Sequence, residues 1–126
     1  MTRSKIAIYY LLPVIIWAGV IFYFSSIPHL QIEELGTWDT IFRKIAHATE
    51  YGVLAFLALR LGWRQEKRTV LILIIVIVFC SLYAWSDEYH QSFIEGRVFS
   101  VWDILIDTLG ATALGLLYFR NKKQPE

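Results

Sequence analysis

Residues 6–24, IAIYYLLPVIIWAGVIFYF, form an uninterrupted apolar or small run without a charge. At about 1.5 Å per helical residue, roughly 19 residues reach across a hydrocarbon core of about 30 Å. Arg3 and Lys5 precede the run and no A-x-A-like site closes it. It therefore reads as a retained transmembrane helix and not as a cleaved signal peptide, whose apolar part is nearer about 7 to 15 residues. Pro13 lies inside it. Proline removes one backbone donor, so a kink is expected there, of a kind that a neighbouring helix can repair.

The rest of the chain has the same character. Of its 126 residues, 56% are hydrophobic and 18% charged, and the mean hydropathy is +0.48. A soluble core of that size cannot hide so much apolar surface, so the solvent is lipid. The length suits a single domain, residues 1–126. A net charge of +1, with basic residues in short clusters, gives no footprint for nucleic acid. Cys80 is the single cysteine, so no intrachain disulfide forms and it reads as a small buried apolar side chain.

Hydropathy and charge place three further spans at about 44–62, 69–86 and 101–119. The expected fold is all-α, a polytopic integral membrane protein with four transmembrane helices. A short interfacial segment is expected between helices one and two, within 25–42, with Trp38 at headgroup level and Glu33, Glu34 and Asp39 solvated. Isolated Lys and Arg gather at the termini and in the loop holding Arg60, Arg64, Lys67 and Arg68. The positive-inside rule then puts both termini in the cytoplasm of a multi-pass protein and the other two loops outside.

Those outer loops carry the chemistry. Residues 86–107, SDEYHQSFIEGRVFSVWDILID, hold Asp87, Glu88, His90, Gln91, Glu95, Arg97, Asp103 and Asp107. In helix two, at 100° per residue, Lys44, His47 and Tyr51 share a face, with Glu50 beside it. If helix three runs past Trp85, Asp87 and Gln91 share a face at i,i+4. Helix four aligns Asp103, Asp107, Gly110 and Leu114, with Ala111 and Gly115 as a small-xxx-small pair. Topology brings Lys44, His47, Tyr51, Asp87, Glu88, Gln91, Arg97, Asp103 and Asp107 to one shallow pocket at the outer rim. An ionised Asp107 facing lipid would cost up to about 3 kcal/mol, so it should face the bundle and find Lys44, Arg97 or a protonated His47.

Three chemistries fit these residues. A metal site would pair His47 with Glu50 and Asp87 with His90 at i,i+3. Lys44 and Arg97 argue against it, and the expectation is no metal and no cofactor. A general acid and base, Glu88 with Asp87 or His47, would serve hydrolysis or transfer on a lipid-linked substrate. Binding alone ranks first: Lys44 and Arg97 on a phosphate or carboxylate, Gln91 and the acids on hydroxyls or ammonium groups, Tyr51 and Trp102 as apolar walls.

The chain resembles the VanZ-like family of small bacterial membrane proteins. The matching pieces are FSSIP at 24–28; K-x-x-H-x-x-x-Y at Lys44, His47 and Tyr51; and DE-x-x-Q-x-F-x-x-GR at Asp87, Glu88, Gln91, Phe93, Gly96 and Arg97. They continue through Ser100 and Asp103 to Gly110 and Gly115. The resemblance implies a protein of the bacterial cell membrane linked to teicoplanin resistance or envelope physiology, and supplies no mechanism. Asp107 departs from a pattern that often has Asn there, which adds a charge; His90 and Glu50 are not carried over. The partner expected is a membrane lipid or lipid-linked cell-wall precursor. A docking role in an envelope complex, through the Gly110, Ala111 and Gly115 surface, is the remaining class, with helix–helix self-association its simplest form.

Overall fold

The computed structural model describes residues 2–27, 36–64, 69–94 and 99–121. All regular structure among them is helical: α1 Arg3–Ser25, α2 Thr37–Gly62, α3 Val70–Gln91 and α4 Val101–Asn121. Three of these, α1, α3 and α4, are long and apolar enough to cross a membrane. Their outward faces carry Ile8, Ile15, Ile16, Leu71, Ile74, Val78, Leu82, Leu109 and Leu116, a surface that water penalises and hydrocarbon does not.

The expected break at Pro13 takes a specific form. One π turn, Ala7–Leu11, precedes it, and the Leu12 N–H reaches back to the Ala7 carbonyl. A wide turn at this point lets the helix pass a residue that cannot donate.

Helix α2 begins at Thr37, about two turns earlier than the apolar pattern suggested. The described part of the expected interfacial segment is thus the start of α2; residues 28–35, with Glu33 and Glu34, lie outside the described residues. Local side-chain pairs explain the early start. Asp39 in the first turn binds Arg43 at 2.9 Å, one helical turn on, and Trp38 stacks on Phe42 with ring centroids 6.1 Å apart. Asp39 is buried, where a solvated loop charge was expected.

The core sits on α2, whose Tyr51, Leu54, Ala55, Ala58 and Leu59 are buried. Helix α2 lies along α4, at closest approach where Gly110 faces the backbone of Ala48. Ala111 and Gly115 of the same stripe are buried. These small residues pack within the bundle, Gly110 against Ala48 of α2 and Gly115 near Leu59 and Leu73.

Polar atoms stitch the helices at several levels. Trp17 donates its indole N–H to the Glu50 carbonyl at 2.8 Å, and the Tyr83 hydroxyl donates to the Ala18 carbonyl at 2.6 Å, fastening α1 to α2 and α3. Ser81 and Thr108 hydroxyls meet at 3.1 Å between α3 and α4. At one end of the bundle Trp63 packs on Tyr118 and Phe119, and Arg60 lies over the Tyr10 ring. The acidic cluster lies towards the other end.

Candidate functional site

Three helices contribute to one buried polar cluster. Helix α2 supplies Lys44, His47 and Tyr51 at spacings that keep them on one face. Helix α3 continues through Asp87 to Gln91, and Asp87, Glu88 and Gln91 are all buried. Helix α4 brings Asp103 and, one turn deeper, Asp107.

At the centre, His47 Nδ1 lies 3.4 Å from Asp107 Oδ1. Of the partners considered for Asp107, His47 stands beside it and Lys44 is taken by Asp103, while Arg97 lies outside the described residues. The Tyr51 hydroxyl donates to Asp87 Oδ2 at 3.2 Å. One ligand atom each from His47, Asp87 and Asp107 falls within 4.8 Å of the others. Asp107 is 1% exposed, and neither of its oxygens nor His47 Nδ1 has a hydrogen-bond partner among the described residues. Carboxylates removed from water without donors are costly, so this cluster stores an unmet demand for positive charge or protons.

Nearer the rim, Lys44 Nζ binds Asp103 Oδ1 at 3.0 Å, both side chains partly exposed. Glu88, fully buried, accepts the Ser100 backbone N–H at 3.1 Å. That N–H belongs to the entry of α4, where Ser100 Oγ also accepts from the Asp103 N–H at 3.4 Å. A carboxylate at a helix N-terminus satisfies a free donor and complements the helix dipole. Glu88 therefore ties the end of α3 to the start of α4.

The structure thus places Lys44, His47, Tyr51, Asp87, Asp103 and Asp107 in contacting pairs across three helices, with Glu88 and Gln91 buried on the same helix as Asp87, and the arrangement is mostly buried where a shallow pocket was expected. The cluster's exposed atoms belong to the quarter-exposed His47 side chain and the Lys44–Asp103 pair. Arg97 and Glu95 lie outside the described residues. Trp102 is no wall of the site, since it is 73% exposed on the outside of α4. Neither i,i+3 pair is part of the three-residue ligand group found among the described residues. His90 turns to α1, where Nε2 meets Ser26 Oγ at 2.9 Å and the ring stacks on Phe22 at 4.4 Å. Glu50 is absent from the three-residue cluster.

The order of these side chains along three helices is a whole-chain pattern. A family model described as VanZ/LLP1 matches residues 9–121. The chain belongs to the VanZ/LLP1 family. No curated protein and no solved structure matches it. In this VanZ/LLP1 member Ser26 is the residue whose role sequence reasoning missed: it was quoted within FSSIP, yet its tie to His90 spans 64 positions and has no local signature.

Proposed function

We propose that all four helices cross a bacterial cytoplasmic membrane with both termini in the cytoplasm, and that the cluster binds the headgroup of a lipid or lipid-linked cell-wall precursor at the outer face. The lower apolarity of α2 is consistent with this, because its Asp39 and Tyr51 are buried and its His47 and Glu50 half-buried against neighbouring helices. Arg3, Lys5, Arg60, Arg64 and Arg120 stand at helix ends away from the acids, as the positive-inside rule requires of a cytoplasmic side.

One observation carries the binding reading: the partly exposed Lys44–Asp103 pair stands at the mouth of a buried set of carboxylates. A phosphate or carboxylate can take the ammonium from Asp103, while the acids and Gln91 receive hydroxyl or ammonium groups. Arg97 is the second cation the sequence offers for the same anion. In cells, sequestering such a headgroup lowers susceptibility to a lipoglycopeptide such as teicoplanin, a step that leans on the family resemblance alone.

The test compares, by mass spectrometry, lipids and cell-wall precursors in cells carrying the parent chain, Lys44→Ala, Arg97→Ala, Glu88→Gln or empty vector, together with lipid retained by each purified protein. A specific lipid kept by the parent and lost with Lys44→Ala and Arg97→Ala supports binding. A new covalent species made by the parent and lost with Glu88→Gln, at equal protein level, replaces that reading with a hydrolase or transferase.

A further inference from the structure

Among the described residues, the central cluster holds more negative charge than its neighbours offset. Asp87 and Asp107 are buried carboxylates, and His47, even when protonated, brings one positive charge to the two of them. Lys44 is engaged by Asp103 at 3.0 Å. Both oxygens of Asp107 and the Nδ1 of His47 are buried without a hydrogen-bond partner among the described residues. Asp87 is different, because the Tyr51 hydroxyl holds its Oδ2 at 3.2 Å. A carboxylate fixed through one oxygen presents the other in a set direction, as outer-shell donors do for metal ligands.

We propose that His47, Asp87 and Asp107 bind a divalent first-row transition-metal ion of the Zn2+ or Mn2+ class. Atoms on opposite sides of an ion bound at about 2.0–2.2 Å stand roughly 4.0–4.4 Å apart, and adjacent ones stand closer. Ligand atoms already within 4.8 Å of one another therefore need only side-chain adjustment to close on an ion. One imidazole and two carboxylates combine a nitrogen donor that suits Zn2+ with oxygen donors that suit Mn2+; the all-oxygen sets preferred by Mg2+ and Ca2+, and the thiolates preferred by Cu(I), are both absent from this cluster. Three protein ligands leave a coordination position open, and the exposed flank of His47 is the entry path. The ligands come from three helices, so the ion also pins α2, α3 and α4 together. The site stands on this geometry and does not depend on the headgroup reading.

The experiment uses tag-free protein purified in detergent, stripped with a chelator, re-equilibrated with excess Zn2+ or Mn2+ and desalted, with metal counted by inductively coupled plasma mass spectrometry. Affinity is measured by calorimetric titration. The parent is expected to keep about one ion per chain, as a three-ligand site should. His47→Gln and Asp107→Asn lose it, Tyr51→Phe weakens it by about 10-fold or more through the orienting contact, and His90→Ala keeps it. Gel filtration reports folding; if Asp107→Asn does not fold, His47→Gln, at a partly exposed side chain, and Tyr51→Phe decide. A parent that keeps neither ion overturns the proposal and leaves His47 and Asp107 as an ion pair. Retention of the ion by folded His47→Gln or Asp107→Asn also overturns it. Lipid retention measured on the same samples reports separately on headgroup binding.

Discussion

Gly110→Ala adds a single methyl group where α2 and α4 meet backbone to backbone. The new Cβ would stand 2.8 Å from the Ala48 Cα, with the Ala48 carbonyl oxygen nearer still. Carbon atoms rest at about 3.5–4.0 Å, so the helices must part by about 1 Å, a gap that forfeits a quarter to a half of each dispersion contact across the seam. Overpacking of this kind costs about 1–3 kcal/mol. Replacing a helical glycine by alanine returns about 0.5–1 kcal/mol, so a net loss of about 1–2 kcal/mol is expected. At roughly 4 °C per kcal/mol for a chain of this size, the melting temperature falls by about 4–8 °C. Gly19→Ala is the matched control, because its Cβ meets nothing within 4 Å and the same propensity gain should raise stability slightly. Thermal unfolding of both variants in one detergent reads the difference. A melting temperature for Gly110→Ala at or above that of the parent would refute the close approach of α2 and α4. The His47–Asp107 contact would then lose its frame as well, since these residues sit next to Ala48 and one turn before Gly110.

Further expectations follow from single contacts. Tyr51→Phe removes the donor to Asp87 and leaves a buried acceptor unmet, so denaturant or thermal unfolding should show a loss of about 1–3 kcal/mol. Glu88→Gln keeps an acceptor for the Ser100 N–H whereas Glu88→Ala does not; the alanine variant alone should lose about 1–3 kcal/mol, seen as a lower melting temperature and faster amide exchange at the start of α4. Lys44→Ala breaks a partly exposed pair and should cost no more than about 1 kcal/mol, while lipid retention falls. Equal lipid retention by the parent and Lys44→Ala would remove Lys44 from the binding site.

Much of the site was legible because helical periodicity is a local property. The 100° rule placed Lys44, His47 and Tyr51 on one face and Asp103, Asp107 and Gly110 on another, and the structure sets the two faces against each other, with Tyr51 and Asp107 buried and Lys44 and Asp103 paired at the partly exposed end. The cost of a carboxylate in hydrocarbon required Asp107 to face protein, and it does. The start of α2 was misread because Trp38, Asp39, Phe42 and Arg43 look like a mixed loop in hydropathy, yet at i,i+4 they pair as helix neighbours. Trp102 was expected as an apolar wall, but adjacent residues on a helix diverge by 100°, and beside an inward Asp103 it points outward.

By itself the sequence determined that this is a helical protein with segments long and apolar enough to cross a membrane and that particular faces of its helices are polar, because solvent preference and helical period act over a few residues at a time. Which faces meet was decided by the tertiary structure. Glycine at 110 lets α4 approach α2 along one line, and that line sets His47 against Asp107; α3 then carries Asp87 to Tyr51 and sends His90 to Ser26. These pairings join residues 36 to 64 positions apart, over which no local propensity acts, and only the packing of the bundle fixes them.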